Sequence, residues 1–134
     1  MLIIKIGGGK EINLRGIIVD LSKLNERFII VHGANASRDE LAKKLSIDKN
    51  IINSLSGYSS VYSDEQAIEL LMLAYAGLRN KKIVELCQQH GINAIGLTGI
   101  DGKIIQGKRN AGIRSHQNGK TLIKIGNKFI YFLL

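Results

Sequence analysis

Two short apolar runs, each ended by glycine, bracket a helix-like segment near the start of the chain, and they restrict the fold more than any other feature. Residues 2–6, "LIIKI", lead into Gly7, Gly8 and Gly9, and residues 28–33, "FIIVHG", end at Gly33. Continuous apolar runs of this length read as buried strands. Between them, "LRGIIVDLSKLNER" (14–27) places Leu14, Ile17, Ile18, Leu21 and Leu24 on one face of a helix. Such a strand, helix, strand unit joins parallel strands by a right-handed crossover. An α/β domain with a mainly parallel sheet is therefore expected.

The pattern continues beyond Gly33. Ser37 stands three residues before Glu40, a capping-box spacing that predicts a helix beginning just after Gly33. A second box, Ser63 and Gln66, predicts a long helix over 64–89 with Ile68, Leu71, Met72, Tyr75, Leu78, Ile83 and Leu86 on its apolar side. Gly77 interrupts that helix at a cost of about 1 kcal/mol relative to alanine, so a close helix contact or a break is expected there. Gly91 fits the residue after the helix, and "INAIGL" (92–97) reads as a third buried strand. Further on, Asp101-Gly102 and Asn118-Gly119 are type I′ hairpin signals, so the last third should be antiparallel hairpins. With no proline, repeat or low-complexity linker, residues 1–134 are expected to form one domain.

Charge narrows the partners. Nineteen basic against eleven acidic side chains give +8, which favours an anionic partner. Nucleic acid fits poorly, because the three Phe and four Tyr lie outside the basic clusters where stacking would need them. The densest cluster, "GKRNAGIR" (107–114), is a candidate contact surface. No apolar run approaches the roughly 18 residues that span a bilayer, so no membrane partner and a cytoplasmic location are expected. The single Cys87 reads as a small buried hydrophobe, and the Asn35-Ala36-Ser37 glycosylation triplet as accidental.

In open parallel sheets, ligands bind beyond the carboxyl ends of the strands, where "KIGGG" and "VHGAN" both end. Glycine lets main-chain amides approach an anion, and the helix after Gly33 adds its positive end. Lys5, embedded in an apolar strand, can reach past the strand end toward a phosphate. In the competing reading, Lys5 snorkels from an edge strand and the glycines make only a tight turn. Familiar nucleotide motifs fail: Ile12 stands where a dinucleotide fingerprint needs glycine, and Arg114 where a Walker loop ending in "GKT" (119–121) needs its first glycine. His32, His90 and His116 are too dispersed for a metal site, and His32 is expected to hydrogen-bond within its turn. Asp64, Glu65 and Asp101 read as helix-start or turn residues, leaving no evident general base. Phosphoryl transfer onto a carboxylate needs none, since that acceptor is already ionised.

Taken together and in this order, "IIKIGGG", "IIVHGAN", "SGYSSVYSDEQ", "AYAGLRNKKIVELC" and "NAIGLTGIDGK" resemble the amino-acid kinase family over roughly residues 1–126. The nearest branches by these motifs are the N-acetylglutamate kinases and the lysine-biosynthetic kinases acting on aminoadipate attached to an amino-group carrier protein. The resemblance implies a three-layer αβα sandwich, a homodimer, and ATP with Mg²⁺ as phosphoryl source for making an acyl phosphate in arginine or lysine biosynthesis. It assigns Lys5 to the transferring phosphoryl group, and Gly7, Gly8 and Gly9 to the loop around it. It assigns Gly33, Ala34 and Asn35 to the substrate loop, although the family usually has glycine at the last two. Val61 falls where related kinases commonly carry an arginine that grips the substrate carboxylate.

By the same resemblance, the chain corresponds to the N-terminal, acyl-substrate and dimerisation half of such a kinase, without the nucleotide-binding half. Little turnover is then expected of the chain alone. An acidic carrier protein would meet the basic hairpin by charge steering. The alternative is a non-catalytic dimerisation or binding module built on the long helix around Gly77.

Overall fold

The computed structural model describes residues 1–48, 51–53, 59–62, 64–107, 113–117 and 120–124. Strand β1 (Leu2–Ile6) and strand β2 (Phe28–His32) pair in parallel, with Leu2 opposite Phe28, Lys5 opposite Val31 and Ile6 opposite His32. The main chain extends this pairing at both ends, through Leu2 N to Arg27 O (3.0 Å) and Gly33 N to Ile6 O (2.9 Å). The crossover helix α1 (Leu14–Leu21) is capped by Asn13, whose side-chain oxygen accepts the Gly16 amide at 3.0 Å. Leu14, Ile18 and Leu21 are its buried face.

The helix ends six residues before the expected Arg27. Ser22 Oγ donates to the Val19 carbonyl at 2.7 Å, and the chain then reverses into β2, leaving Leu24 exposed.

Helix α2 (Asn35–Lys44) starts where expected but not by the expected device. Ala34 occupies the N-cap position without a side-chain cap, and Ser37 lies inside the first turn. The Gly8 carbonyl accepts the Ala36 amide at 2.8 Å, so a tertiary contact does the work of a capping side chain. Glu40 instead approaches Lys10 across the surface at 3.6 Å.

A two-stranded antiparallel ribbon follows, β3 (Ile51–Asn53) with β4 (Ser59–Val61). Next comes one long helical run: α3 (Glu65–Met72), a π-helical segment (Leu73–Asn80) and α4 (Lys81–Gln89), with helical backbone angles at both junctions. Its cap is Asp64, whose carboxylate accepts the Ala67 amide at 2.9 Å; Ser63 of the expected box lies outside the described residues. Gly77 makes no close contact, since a Cβ there would have open space within 4 Å. The irregularity appears instead as the π winding.

That winding redistributes the faces. Residues on a regular helix recur every 3.6 positions, but the buried positions here run Leu70, Ala74, Asn80, Ile83, Leu86 and Cys87. Leu78 and Met72, expected inside, are 53% and 44% exposed, and Asn80 is buried in their place.

The core lies between the β1–β2 pair, α1 and α4. Ile6, Leu14, Ile18, Leu21, Ile83, Leu86 and Cys87 form it, with Ile4, Phe28, Ile30, Ile92 and Ala94 packed around them. Full burial of a side chain such as Ile18 contributes about 1.5–3 kcal/mol. Cys87 is buried as expected, and burial pushes its thiol pKa up.

Gly91, at φ +75°, ends α4 in the left-handed conformation that follows many helices. The expected third strand, 92–97, does not join a ladder among the described residues. Side chains of the long helix take its carbonyls instead: Asn80 Nδ2 donates to Leu97 O (3.1 Å), Lys81 Nζ to Gly96 O (3.2 Å) and Gln88 Nε2 to Ala94 O (3.3 Å).

The chain turns at Asp101-Gly102 with positive φ at Gly102 and Lys103, but as a 3-10 turn (Asp101–Lys103) whose flanks join no ladder among the described residues. The Asp101 carboxylate accepts the Thr98 amide at 2.6 Å and its hydroxyl at 2.8 Å, which ties the turn back on itself. The second expected hairpin is present. β5 (Ile113–Gln117) pairs antiparallel with β6 (Lys120–Lys124), Gln117 opposite Lys120, although Asn118 and Gly119 lie outside the described residues. The α/β class is borne out.

Candidate functional site

The parallel pair brings both glycine turns to its carboxyl end, and they touch. A Cβ on Gly8 would lie 2.5 Å from the Ala34 nitrogen and 2.6 Å from that of Asn35. A Cβ on Gly33 would lie 2.9 Å from the Gly8 nitrogen. Gly8 and Gly33 are thus required by close approach of two main chains, with no unusual φ involved. Gly7 has room for a methyl group at 3.5 Å from Ile12, and Gly9 meets nothing within 4 Å.

Around this junction the structure gathers most of the expected residues. Lys5 is exposed near the end of β1 and makes no ion pair among the described residues. Ala34 is fully buried and Asn35 begins α2. The Asn35 side chain is fixed from across the fold, its Oδ1 accepting the Tyr75 hydroxyl of the π segment at 2.7 Å. The amides of Ala34 and Asn35 have no backbone acceptor among the described residues, whereas that of Ala36 is taken by Gly8. Val61 lies on the β3–β4 ribbon, opposite Ile51.

Two residues outside the expected site also enter, of which His32 is the one expected to hydrogen-bond within its turn. His32 follows Val31 at the end of β2, and its Nδ1 is buried without a hydrogen-bond partner. Burial lowers its pKa below the ordinary 6.5, the Arg79 charge lowers it further, the Gly33 main chain opposes, and the Lys5 charge adds a smaller depression. Arg79, from the π segment, has Nε and Nη2 buried and unpartnered, and burial lowers its own pKa. The sequence carries no distinct signal for Arg79, which opens the polar run "RNKK" (79–82) after the apolar stretch 71–78. A 3.6-residue period cannot place it, because the π winding shifts the face at that point.

Chemically, the site offers an ammonium, a half-buried guanidinium, an imidazole held toward its neutral form and helix-start amides. It suits an anion. Among the described residues there is no group of His, Cys, Asp and Glu side chains able to hold a metal ion, so Mg²⁺ finds no protein cage here. No described helix is long and apolar enough to cross a membrane.

Comparison with known proteins gives the same family that the motifs suggested. The chain is similar to the LysW-aminoadipate kinase of Deinococcus radiodurans, 35% identical over 95% of this chain and 44% of that protein. The LysW-aminoadipate kinase of Thermus thermophilus is 32% identical over 95% of this chain and 48% of its own length. The LysW-aminoadipate/LysW-glutamate kinase of Saccharolobus islandicus is 33% identical over 84% and 43%. The chain thus spans about half the length of the curated relatives it matches. The profile of the amino acid kinase family matches residues 1–133, and the chain belongs to that family.

Proposed function

We propose that the chain provides the acyl-substrate half of a kinase that phosphorylates the side-chain carboxylate of aminoadipate or glutamate linked to LysW. The observation that carries this reading is the contact of the Gly8 and Gly33 turns beside Lys5 at the carboxyl end of a parallel pair. The substrate enters through the relatives' names.

In this reading Lys5 neutralises the transferring phosphoryl group, and main-chain amides at Gly8, Ala34 and Asn35 orient its oxygens. The attacking carboxylate is already ionised, so positioning and charge neutralisation suffice. ATP supplies the phosphoryl group, and Mg²⁺ would travel with its phosphates rather than on the described residues of this chain. The net charge of +8 favours an acidic carrier surface, with residues 107–114 as the expected meeting point.

The test is a hydroxamate trap for acyl phosphate with ATP, Mg²⁺ and LysW-linked aminoadipate. The 134-residue chain should give no product alone, and should give product when mixed with a polypeptide covering the remaining half of the Thermus relative. Product from the chain alone would refute the half-site reading. No product from the mixture would refute the kinase reading.

A second reading rests on the long helix, where Met72, Leu73 and Leu78 are exposed beside Gly77. Such a strip suits a second copy of the chain, as a dimerisation module with or without catalysis. Light scattering across micromolar concentrations decides it; a monomer throughout removes this reading.

A further inference from the structure

We propose that Arg79 is an oxyanion-binding residue, which takes a carboxylate or phosphate group at the edge of the twin-turn site beside His32. A guanidinium is among the costliest groups to bury unpaired, and native structures almost always give it an acceptor. Arg79 has none: it makes no hydrogen bond and no ion pair among the described residues, while Nε and Nη2 are shut from solvent. Nη1 is the nitrogen left with access to solvent.

Nor is the residue displaced by chance to a surface. It comes from the π segment, whose winding carries its neighbour Asn80 into the core and fastens it to Leu97 O at 3.1 Å. Tyr75 of the same segment donates to Asn35 at 2.7 Å, which ties the π segment to the start of α2. The guanidinium is thus carried by a segment tied to the start of α2, and its charge reaches His32 at the end of β2. There the Nδ1 of His32 is a second buried polar atom without a partner. The charges of Arg79 and Lys5 both act on the His32 imidazole, so three basic groups share one neighbourhood, and among the described residues no carboxylate is paired to any of them. An oxyanion arriving at Nη1 offsets the unpaired guanidinium charge through a charge-assisted contact.

Whether the oxyanion is a substrate carboxylate or a phosphate is left to the arms of the experiment. The inference rests on the kinase reading only for the identity of the natural ligand, and binding is measured without ATP. Loss of turnover and loss of binding are therefore separate results.

The full chain is titrated with inorganic phosphate and, separately, with glutarate, each against chloride at matched ionic strength. Thermal unfolding and the His32 imidazole proton resonance are followed. One of the two anions should raise the melting temperature and move the His32 titration upward in a saturable way, and the responding anion names the class. Arg79→Gln should weaken that binding at least tenfold, and Arg79→Lys severalfold, since a lysine keeps the charge but not the planar guanidinium. Should Arg79→Gln fail to fold by circular dichroism, Arg79→Lys gives the answer. Unchanged affinity in the folded variants, or no response to either anion beyond that to chloride, overturns the proposal.

Discussion

Gly8 and Ala34 stand so close that a Cβ on the first would lie 2.5 Å from the backbone nitrogen of the second. Backbone cannot move aside as a flexible side chain can. Gly8→Ala must therefore spread the two turns, at a cost of about 1–3 kcal/mol. Gly9→Ala, one residue on and in open space, should stay within about 0.5 kcal/mol of the parent. Urea unfolding of both variants checks the contrast, and equal effects would mean that the turns do not touch.

Gly77 makes a different case. It is exposed in the π segment, and a methyl group placed there would meet nothing within 4 Å. Gly77→Ala should stabilise the chain by about 0.5–1 kcal/mol by relieving the glycine penalty of a helix interior. A loss of stability at low protein concentration would contradict this expectation; a loss seen only where the chain self-associates would place Gly77 at a helix contact between copies.

Asn80 and Gly96 are fitted to each other. The buried amide donates to Leu97 O at 3.1 Å, and a Cβ on Gly96 would collide with its Oδ1. Asn80→Ala should cost about 1 kcal/mol. Gly96→Ala should cost less in the Asn80→Ala background than in the parent, because the obstructing atom is gone. A double-mutant cycle reads that coupling directly.

His32 makes stability depend on pH. Its folded pKa lies below the ordinary 6.5, chiefly through burial and next through Arg79. As pH falls, the unfolded chain takes the proton first, so stability is complete above 6.5 and is lost as pH drops through the folded value. Denaturant midpoints from pH 7.5 to 5.5 should decline in the parent by more than in His32→Asn. A flat parent profile would disprove the depression. Asp101, held ionised by its bonds from Thr98, has the same sign lower down, with its contribution lost below 3.8.

Cys87 is closed off in the core and its thiol is pushed up by burial. A thiol reagent such as iodoacetamide should modify it at least tenfold more slowly in the native chain than in urea. Equal rates would mean that α4 does not seal against α1.

How far the sequence reaches differs by element. The apolar runs at 2–6 and 28–33, split by a helix-period segment, determined the parallel pair, because only a crossover can return the chain in the same direction. The glycines at their ends marked where the two turns meet. The hairpin of 113–117 with 120–124 also followed from a local turn signal. Local rules failed where a distant group replaced the local one. The Gly8 carbonyl took the amide that a Ser37 box was expected to serve. Helix side chains took the carbonyls that a 92–97 strand would have offered to a neighbouring strand. Arg79 was out of reach for a related reason, since only the assembled fold rewinds residues 73–80 as a π-helix and carries Asn80 inward. Sequence alone determined which residues could make an anion site, through residue type and strand-end placement. Tertiary structure decided which of them meet, because close approach, burial and unpaired charge exist only once separate segments have packed.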